Sequence, residues 1–162
     1  MIYQFEATLG SDGNLGALLI PDDVTKQLAQ DKVKRVVAVL SYNDREITLH
    51  AAVRKRKGIV YLMVSKAKRK ELGVDQGNTL EVSMKEDTSK YQAPMTEELE
   101  AVLLSDYEGY KIFESLLPGK QRNIIFSVYN VNGSQKRVDK ALNAMENLKR
   151  GNRDPFKFDR NL

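Results

Sequence analysis

Residues 61–82 read YLMVSKAKRKELGVDQGNTLEV, and this stretch decides the predicted fold of the first half of the chain. An apolar run over 59–64 predicts a central strand, and Ser65 after it is a residue type that caps helix N-termini. Gly73 is the residue type that most often ends a helix. Residues 79–84 then alternate like a half-buried strand, so the stretch predicts a strand, a two-turn helix and a second strand.

An earlier stretch, LLIPDDVTKQLA…VVAVL within 18–40, follows the same order of strand, cap, short helix and strand. Leu18 aligns with Leu62 in this low-identity repeat. We therefore predict an α+β chain in which residues 1–87 form a small closed, double-split and pseudo-symmetric β-barrel with two short helices. Closure would remove the unpaired strand edges that either half has alone. Because one chain carries both fused halves, we expect a monomer.

The periodicity changes after the barrel segment. Residues 88–94, TSKYQAP, have the polarity and the proline of a linker. Apolar residues recur at helical spacing over 95–151, which predicts a C-terminal α-helical module. Residues 152–162 are expected to form an irregular tail, from which Phe156 and Phe158 could pack on the module. Helix starts are predicted at Thr96, Asp106, Pro118 and Gln135, and the last helix is expected to carry Val138, Ala141, Leu142, Met145 and Leu148 on one apolar stripe.

The composition excludes several classes of chemistry. The chain has no cysteine and one histidine, His50, so thiol nucleophiles and clustered zinc ligands are excluded. Neither a metal site nor a cofactor is predicted. The longest apolar run, 59–64, is far shorter than the ~20 residues of a membrane helix, and the start MIYQFEATLG lacks the pattern of a signal peptide. We therefore expect a cytoplasmic protein without a membrane span.

Positive charge is concentrated in two adjoining segments of the first half. One is the predicted helix that contains KAKRK, and the other is the charged tip RKRKG at 54–58. Lysines near a helix N-terminus oppose the helix dipole, and a bound anion would reverse the sign of that effect. Phosphate or nucleic-acid binding is one interpretation, and a solvated face that keeps the protein soluble is the other. The candidate site residues are Arg54, Lys55, Arg56, Lys57, Lys66, Arg69 and Lys70.

The sequence contains further candidate residues. Arg122 and Arg137 could form a second anion site across the third and fourth helices, or could make ordinary surface ion pairs. His50 has no Ser or Asp partner near it in sequence, so a catalytic base is not predicted. The stretch DGNLG at 12–16 lacks the glycine spacing of a phosphate loop. Aromatic residues expected in the core and at the rim of the helical module, rather than in a ligand site, are Tyr107, Tyr110, Phe113, Phe126 and Tyr129.

The pattern VSKAKRKELGVDQGNTLEVSM resembles one half of the barrel of AbrB/MazE/MraZ-like proteins. In those proteins an apolar strand is followed by Pro or Ser, a short basic helix ending in Leu-Gly, then Gly-Asp and a strand; Asn78 stands here in place of the Asp. They close one barrel from two chains, whereas this chain carries both halves. The resemblance implies a nucleic-acid-binding transcriptional regulator that uses the basic barrel helix and the hairpin tip.

Over about residues 1–150, the chain is similar to a bacterial family of unknown function. In that family a small barrel precedes a helical module named YdeI/OmpD-associated, or bacteriocin-protection. The matching segments are PMTEELEAVLLSD, FESLLPGKQRNIIFSVYN and KRVDKALNAMENLKRG. In that family the third helix of the module continues into a Lys-containing stretch that is followed by Thr-Arg. This chain has YNVNGSQKR there instead, and Arg137 stands at the position of the family's arginine.

This second resemblance implies a non-catalytic binding protein for stress or bacteriocin protection, with an unknown ligand. That is the first functional expectation, and the nucleic-acid-binding regulator is the alternative. An enzyme is the third option, and the single histidine and the absence of cysteine disfavour it. Nucleic acid or another anionic molecule is the partner class that the charge distribution suggests.

Overall fold

The computed structural model describes residues 1–10 and 16–160. The chain divides into two compact units, Met1–Thr88 and Ser89–Leu162. The stretch DGNLG lies outside the described residues, except for its last residue, Gly16. No α-helix in the described part is both long enough and apolar enough to cross a membrane.

The first unit is built around two antiparallel sheets. Its strands, within the described residues, are β1 (Ile2–Thr8), β2 (Ala17–Leu19), β3 (Arg35–Tyr42), β4 (Arg45–Ala52), β5 (Arg54–Arg56), β6 (Ile59–Met63) and β7 (Thr79–Glu86). The larger sheet has the strand order β1-β7-β3-β4, and the smaller has the order β2-β6-β5. Side chains alternate across each strand, so that Val36, Ala38 and Leu40 of β3 all point into one core.

The prediction of a closed barrel is wrong. In the described residues both sheets are open: β1 and β4 are the edges of the larger sheet, and β2 and β5 are the edges of the smaller one. The apolar pattern indicates which residues are buried, but it does not indicate which strand edges pair. The edge strands β2 and β5 have three residues each, and β5 is entirely basic. Short length and charge protect these edges from pairing with other chains, so closure is not needed.

The two strand–helix–strand segments are interleaved rather than side by side. The first contains α1 (Asp22–Gln30), and the second contains α2 (Lys66–Leu72). Leu18 of β2 pairs with Leu62 of β6, the residue with which it aligns in the repeat. In the same way β3 pairs with β7. Each segment therefore contributes one strand to each sheet, and neither completes a sheet by itself.

Local signals set both ends of α2, as predicted, and the start of α1. The Ser65 side chain accepts a hydrogen bond from the Lys68 amide at 3.2 Å, so the predicted N-cap of α2 is confirmed. Gly73 ends α2 with a φ angle of 77°, a left-handed conformation that glycine adopts without steric cost. Pro21 precedes α1, whose first turn carries two aspartates that suit the positive end of the helix dipole.

The second unit is helical. Its described part contains α3 (Glu97–Ser105), α4 (Tyr107–Ser115), α5 (Pro118–Tyr129), α6 (Ser134–Lys149) and a 3-10 turn (Pro155–Lys157). The predicted caps are confirmed, since the Thr96 and Asp106 side chains accept hydrogen bonds from backbone amides of α3 and α4. Leu142 belongs to the apolar stripe expected for α6, but 48% of its surface is exposed. The largest side chains of this core are Leu99, Phe113, Ile124, Ile125 and Met145.

The C-terminal segment is fastened to α6 by one buried amide. Asn147 has no exposed surface, and its Nδ2 donates to the Asp159 carbonyl at 2.9 Å. Its Oδ1 accepts from the Asp159 amide at 2.8 Å. Phe158 packs against the helical core, as the sequence suggested, whereas Phe156 is 85% exposed. The segment is therefore irregular apart from its 3-10 turn, but it is held in place by hydrogen bonds.

Candidate nucleic-acid interface

Four consecutive basic residues form the tip of a tight β-hairpin. We call Arg54, Lys55, Arg56 and Lys57 the basic hairpin. Lys57 and Gly58 connect β5 to β6 with φ angles of 50° and 78°. Two positive φ angles in a two-residue loop are the geometry of a type I′ turn, whose twist matches that of the flanking strands. The turn therefore sets the positions of the basic residues on a regular two-stranded ribbon.

The hairpin extends beyond its neighbouring strand. β6 pairs with β2 only from Tyr61 onward, whereas β5 pairs with β6 as far as Arg56 and Ile59. Arg54 pairs with Tyr61, so Arg54, Arg56, Ile59 and Tyr61 share one face of the ribbon. Arg54 and Arg56 are two residues apart on the same strand, which places their Cα atoms about 7 Å from each other. The face thus carries two guanidinium groups beside an aromatic and an aliphatic side chain.

The charges of the basic hairpin have no carboxylate partners among the residues that the structure describes. All four side chains are exposed. Among residues 1–10 and 16–160, none of these four side chains forms an ion pair. Four like charges on adjacent positions repel one another, and they create a local positive potential that would attract an anionic partner.

Helix α2 provides fewer available charges than the sequence predicts. Lys66 and Lys70 are exposed, and neither forms an ion pair within the described part of the chain. Arg69 is half-buried, and its Nε atom has no contact with solvent. The helix has seven residues, so its dipole is small and its N-terminus is not by itself an anion site.

The structure does not gather all seven predicted site residues at one point. The hairpin turn lies at one end of β6, and Ser65, which caps α2, lies beyond the other end. β6 has five residues, so it spans about 16 Å. The basic hairpin and the lysines of α2 are therefore two separate basic areas of the first unit. Of the two, the hairpin has more charge and the more regular geometry.

Of the two residues in the second predicted anion site, Arg137 makes hydrogen bonds within the protein. Arg137 donates from Nε to the Val131 carbonyl at 2.9 Å and from Nη2 to the Tyr129 carbonyl at 3.0 Å. It therefore binds carbonyl groups at the C-terminal end of α5, where a cation is favoured by the helix dipole. Arg122 lies seven residues before Tyr129, about 10 Å along the helix axis. Arg137 thus stabilises the connection between α5 and α6, and this geometry favours a structural role for it.

A polar hollow of about 850 Å³ adjoins the β3–β4 turn. Its lining includes four carboxylates, from Glu6, Asp44, Glu46 and Glu81, beside the guanidinium of Arg45. The excess of negative charge disfavours an anionic ligand there. The hollow therefore does not compete with the basic hairpin as a site for nucleic acid.

His50 has a buried acidic neighbour that sequence reasoning missed. Its Nδ1 lies 3.8 Å from Oδ2 of Asp87, a residue far away in sequence and almost fully buried. The strands explain the approach, because Val37 of β3 pairs with His50 on one side and with Lys85 of β7 on the other. The strand register would have revealed this pair, whereas a search for neighbours in sequence could not.

The surroundings of His50 favour its neutral form. Burial lowers the pKa of His50 below its usual 6.5, and the carboxylate of Asp87 offsets this only in part. The positive charges of Lys68 and Arg35 lower the pKa further. The unfolded chain therefore binds a proton at a higher pH than the folded chain does.

This difference predicts a dependence of stability on pH. The free energy of unfolding of the first unit should fall as the pH drops below about 6.5, because protonation then favours the unfolded chain. Urea titrations followed by the NMR resonances of β3 and β4, at about pH 7.5 and about pH 5.5, measure this. His50→Gln should flatten the dependence, and since the chain has one histidine, no other imidazole contributes. An unchanged slope in His50→Gln would contradict the assignment.

Comparisons with known proteins leave the resemblances described above as predictions. No protein-family model matches the chain, and no curated protein matches it. Among solved structures, it is similar to the solution structure of PHS018 from Pyrococcus horikoshii, with a TM-score of 0.36 and 21% sequence identity. The similarity covers 51% of this chain and 88% of that one. A similarity of this size carries no argument about fold or function.

Proposed function

We propose that this protein is a non-catalytic binding protein whose basic hairpin binds nucleic acid through the phosphate backbone. The observation that carries the proposal is the basic hairpin itself: four consecutive exposed cations on a type I′ hairpin, without ion pairs to the described residues. We place this activity in the cytoplasm and expect a monomer, because one chain supplies both interleaved strand–helix–strand segments.

The residue in the first position of the turn, Lys57, supports a functional need for positive charge in the basic hairpin. Type I′ turns favour Asn, Asp or Gly at their first position, because the left-handed conformation costs other residues about 1 to 2 kcal/mol. Lys57 occupies that position with a φ angle of 50°. Charged side chains on the edge strand β5 already prevent pairing with other chains, and that protection does not require a cation in the turn. Four cations, one of them in an unfavourable conformation, exceed that requirement.

The shape of the basic hairpin supports duplex DNA as the ligand to test first. A two-stranded β-ribbon fits the major groove, and the end of the ribbon that carries Arg56 and Lys57 extends past β2. Arginine binds phosphate through paired N–H donors. Contacts to phosphates carry no sequence information, so we expect binding to be tolerant of sequence and strongly dependent on salt.

The test is a fluorescence anisotropy titration of the full chain against a mixed-sequence duplex of about 20 base pairs at two salt concentrations. With three to four phosphate contacts, affinity should fall roughly 100-fold between about 50 mM and about 200 mM salt. Replacing Arg54, Lys55, Arg56 and Lys57 together by Glu should abolish binding at the lower salt concentration.

A charge-matched variant provides the control. Lys26, Lys32, Lys34 and Lys85 are exposed lysines of the same unit, and replacing all four by Glu changes the net charge equally. This control variant should keep most of the affinity. Equal losses in both variants would mean that net charge alone attracts the DNA, and absence of binding at low salt would overturn the proposal. In the latter case the protective role implied by the family resemblance becomes the leading hypothesis.

A further inference from the structure

The second unit contains a group of side chains that surrounds one ammonium ion. The Nζ atom of Lys90 lies 5.1 Å from the ring centroid of Tyr91 and 5.9 Å from that of Tyr110. It also lies 3.1 Å from Oε1 of Glu114. Aromatic faces attract cations within about 6 Å. We call Tyr91, Tyr110 and Glu114 the tyrosine cage, and Lys90 is its present occupant.

The tyrosine cage is held together by contacts that do not involve Lys90. The ring of Tyr91 packs edge-on against Phe113 at 5.4 Å and 75°, and Phe113 is fully buried. The Tyr91 hydroxyl donates a hydrogen bond to the Glu114 carboxylate. Tyr110 and Glu114 lie four residues apart on α4 and therefore on the same side of the helix. The cage should keep its geometry when its occupant leaves.

The charged and polar groups of the cage shift one another's pKa values. Burial alone would raise the pKa of Glu114, but hydrogen bonds from Tyr91, Lys90 and Tyr110 outweigh it, and the pKa is lowered. Burial and the hydrogen bond to Glu114 raise the pKa of Tyr91 to about 12. Glu114 is thus a carboxylate and Tyr91 a neutral phenol near neutral pH. The site therefore carries a negative charge that any cation in the cage would meet.

Lys90 is a replaceable occupant. The side chain of Lys90 is 61% exposed, whereas that of Glu114 is 30% exposed. An exposed ion pair of this kind contributes little stability, because solvent competes for both groups. The lysine can therefore swing into solvent and vacate the space between the rings at small cost. In effect Lys90 competes with any external cation for the same position.

A cavity adjoins the cage and leaves room for a ligand larger than the ammonium group of Lys90. It has a volume of about 340 Å³ and is lined by Lys90, Tyr91 and Tyr110 together with Ala93, Met95 and Leu103. Apart from Ser89 and Glu100, the additional walls are apolar and suit methyl groups rather than a hydrated primary ammonium, while the Glu100 carboxylate favours a cationic ligand. A methylated ammonium is weakly hydrated and has few or no N–H donors, so it loses little on entering such a site.

We propose that the tyrosine cage binds a small organic cation with a methylated ammonium group, which displaces Lys90. The rings of Tyr91 and Tyr110 contact the methyl groups, and Glu114 supplies the compensating charge. The remainder of the ligand lies along Met95 and Leu103. This site belongs to the helical unit and does not depend on the basic hairpin, so either proposal can fail without the other.

The test uses choline as the probe and NMR chemical shifts of the full chain at low ionic strength as the measurement. Choline should shift the resonances of Tyr91 and Tyr110, and its neutral isostere 3,3-dimethylbutanol should not. Lys90→Ala removes the internal competitor and should tighten choline binding about tenfold. Equal binding of choline and the neutral isostere would overturn the proposal, since charge recognition is its basis.

Matched variants separate the cage from general effects of charge. Lys111 also lies over a single tyrosine ring, that of Tyr107, at 5.4 Å, so Lys111→Ala removes a comparable cation outside the cage and should leave choline affinity unchanged. In the Lys90→Ala background, Tyr110→Leu and Glu114→Gln should each weaken binding about tenfold. An equal gain from Lys111→Ala, or no gain from Lys90→Ala, would show that the cage does not bind the probe.

Discussion

Replacement of Leu62 by alanine is expected to lower the free energy of unfolding of the first unit by about 2 to 5 kcal/mol. Leu62 has no exposed surface and lies on β6, the central strand of the smaller sheet. Its partner across the ladder, Leu18, is also fully buried. Truncation would leave a cavity between them that the surrounding close-packed side chains can fill only in part.

Urea titrations followed by NMR resonances of the first unit measure this effect, and Met63→Ala is the control. Met63 is the next residue of the same strand, but 37% of its surface is exposed, so its truncation should cost less than about 1 kcal/mol. Similar losses in the two variants would mean that β6 does not occupy the centre of this core. Because β6 is also one strand of the basic hairpin, Leu62→Ala should weaken DNA binding at temperatures where the unit begins to unfold.

Replacement of Asn147 by alanine is expected to release residues 152–160 and to destabilise the helical unit by about 2 to 4 kcal/mol. The buried amide binds both the carbonyl and the amide of Asp159 and also receives a hydrogen bond from Asn152. Alanine removes these hydrogen bonds together, while the Asp159 carbonyl keeps its bond from the Asn143 side chain. Each hydrogen bond lost typically costs about 0.5 to 1.5 kcal/mol, so the loss of several from one side chain gives the expected sum.

Limited proteolysis with trypsin reports the release, because Arg153, Lys157 and Arg160 lie in the segment. Cleavage there should be much faster in Asn147→Ala than in the original protein. Asn143→Ala is the matched control: the Asn143 side chain makes one hydrogen bond to Asp159, at 2.8 Å, and is only half-buried. Equal cleavage rates in the two variants would contradict the central role of Asn147.

The sequence predicts features that depend on neighbouring residues. Ser65 and Gly73 mark the ends of α2, and Thr96 marks the start of α3, because capping uses hydrogen bonds between residues three or four positions apart. Leu18 and Leu62 were aligned from pattern alone and are directly paired. Such local signals are sufficient to place helices and strands along the chain.

Features that depend on distant residues could not be predicted in this way. The barrel prediction failed because an apolar pattern does not specify which edges pair. To predict that His50 lies near Asp87, one must know the register of β4, β3 and β7. The basic residues at 54–57 were recognised from the sequence, but their separation from Lys66 depends on the course of β6.

The tyrosine cage and the buried position of Asn147 were missed for a different reason. The polar composition of TSKYQAP indicates a linker, but Tyr91 contacts Phe113, whose ring is buried in the helical core. Asn147 is a polar residue of the type found on helix surfaces, yet it is buried because Asn152 and Asp159 pack onto it. Composition describes the solubility of a segment in isolation and does not reveal a partner that arrives from elsewhere.

The pairing of β1 with β7 has a consequence for how the protein is made. Thr8 meets Thr79 across this ladder, 71 residues later in the chain. During synthesis the first strand emerges from the ribosome long before its partner exists, and the larger sheet can assemble only when β7 has followed. In the helical unit α6 packs against α3, α4 and α5, so that unit in turn completes its core only after its last helix has been made. Until β7 arrives, the apolar side chains of β1 and β3 are exposed, and this interval is when the chain is most susceptible to aggregation.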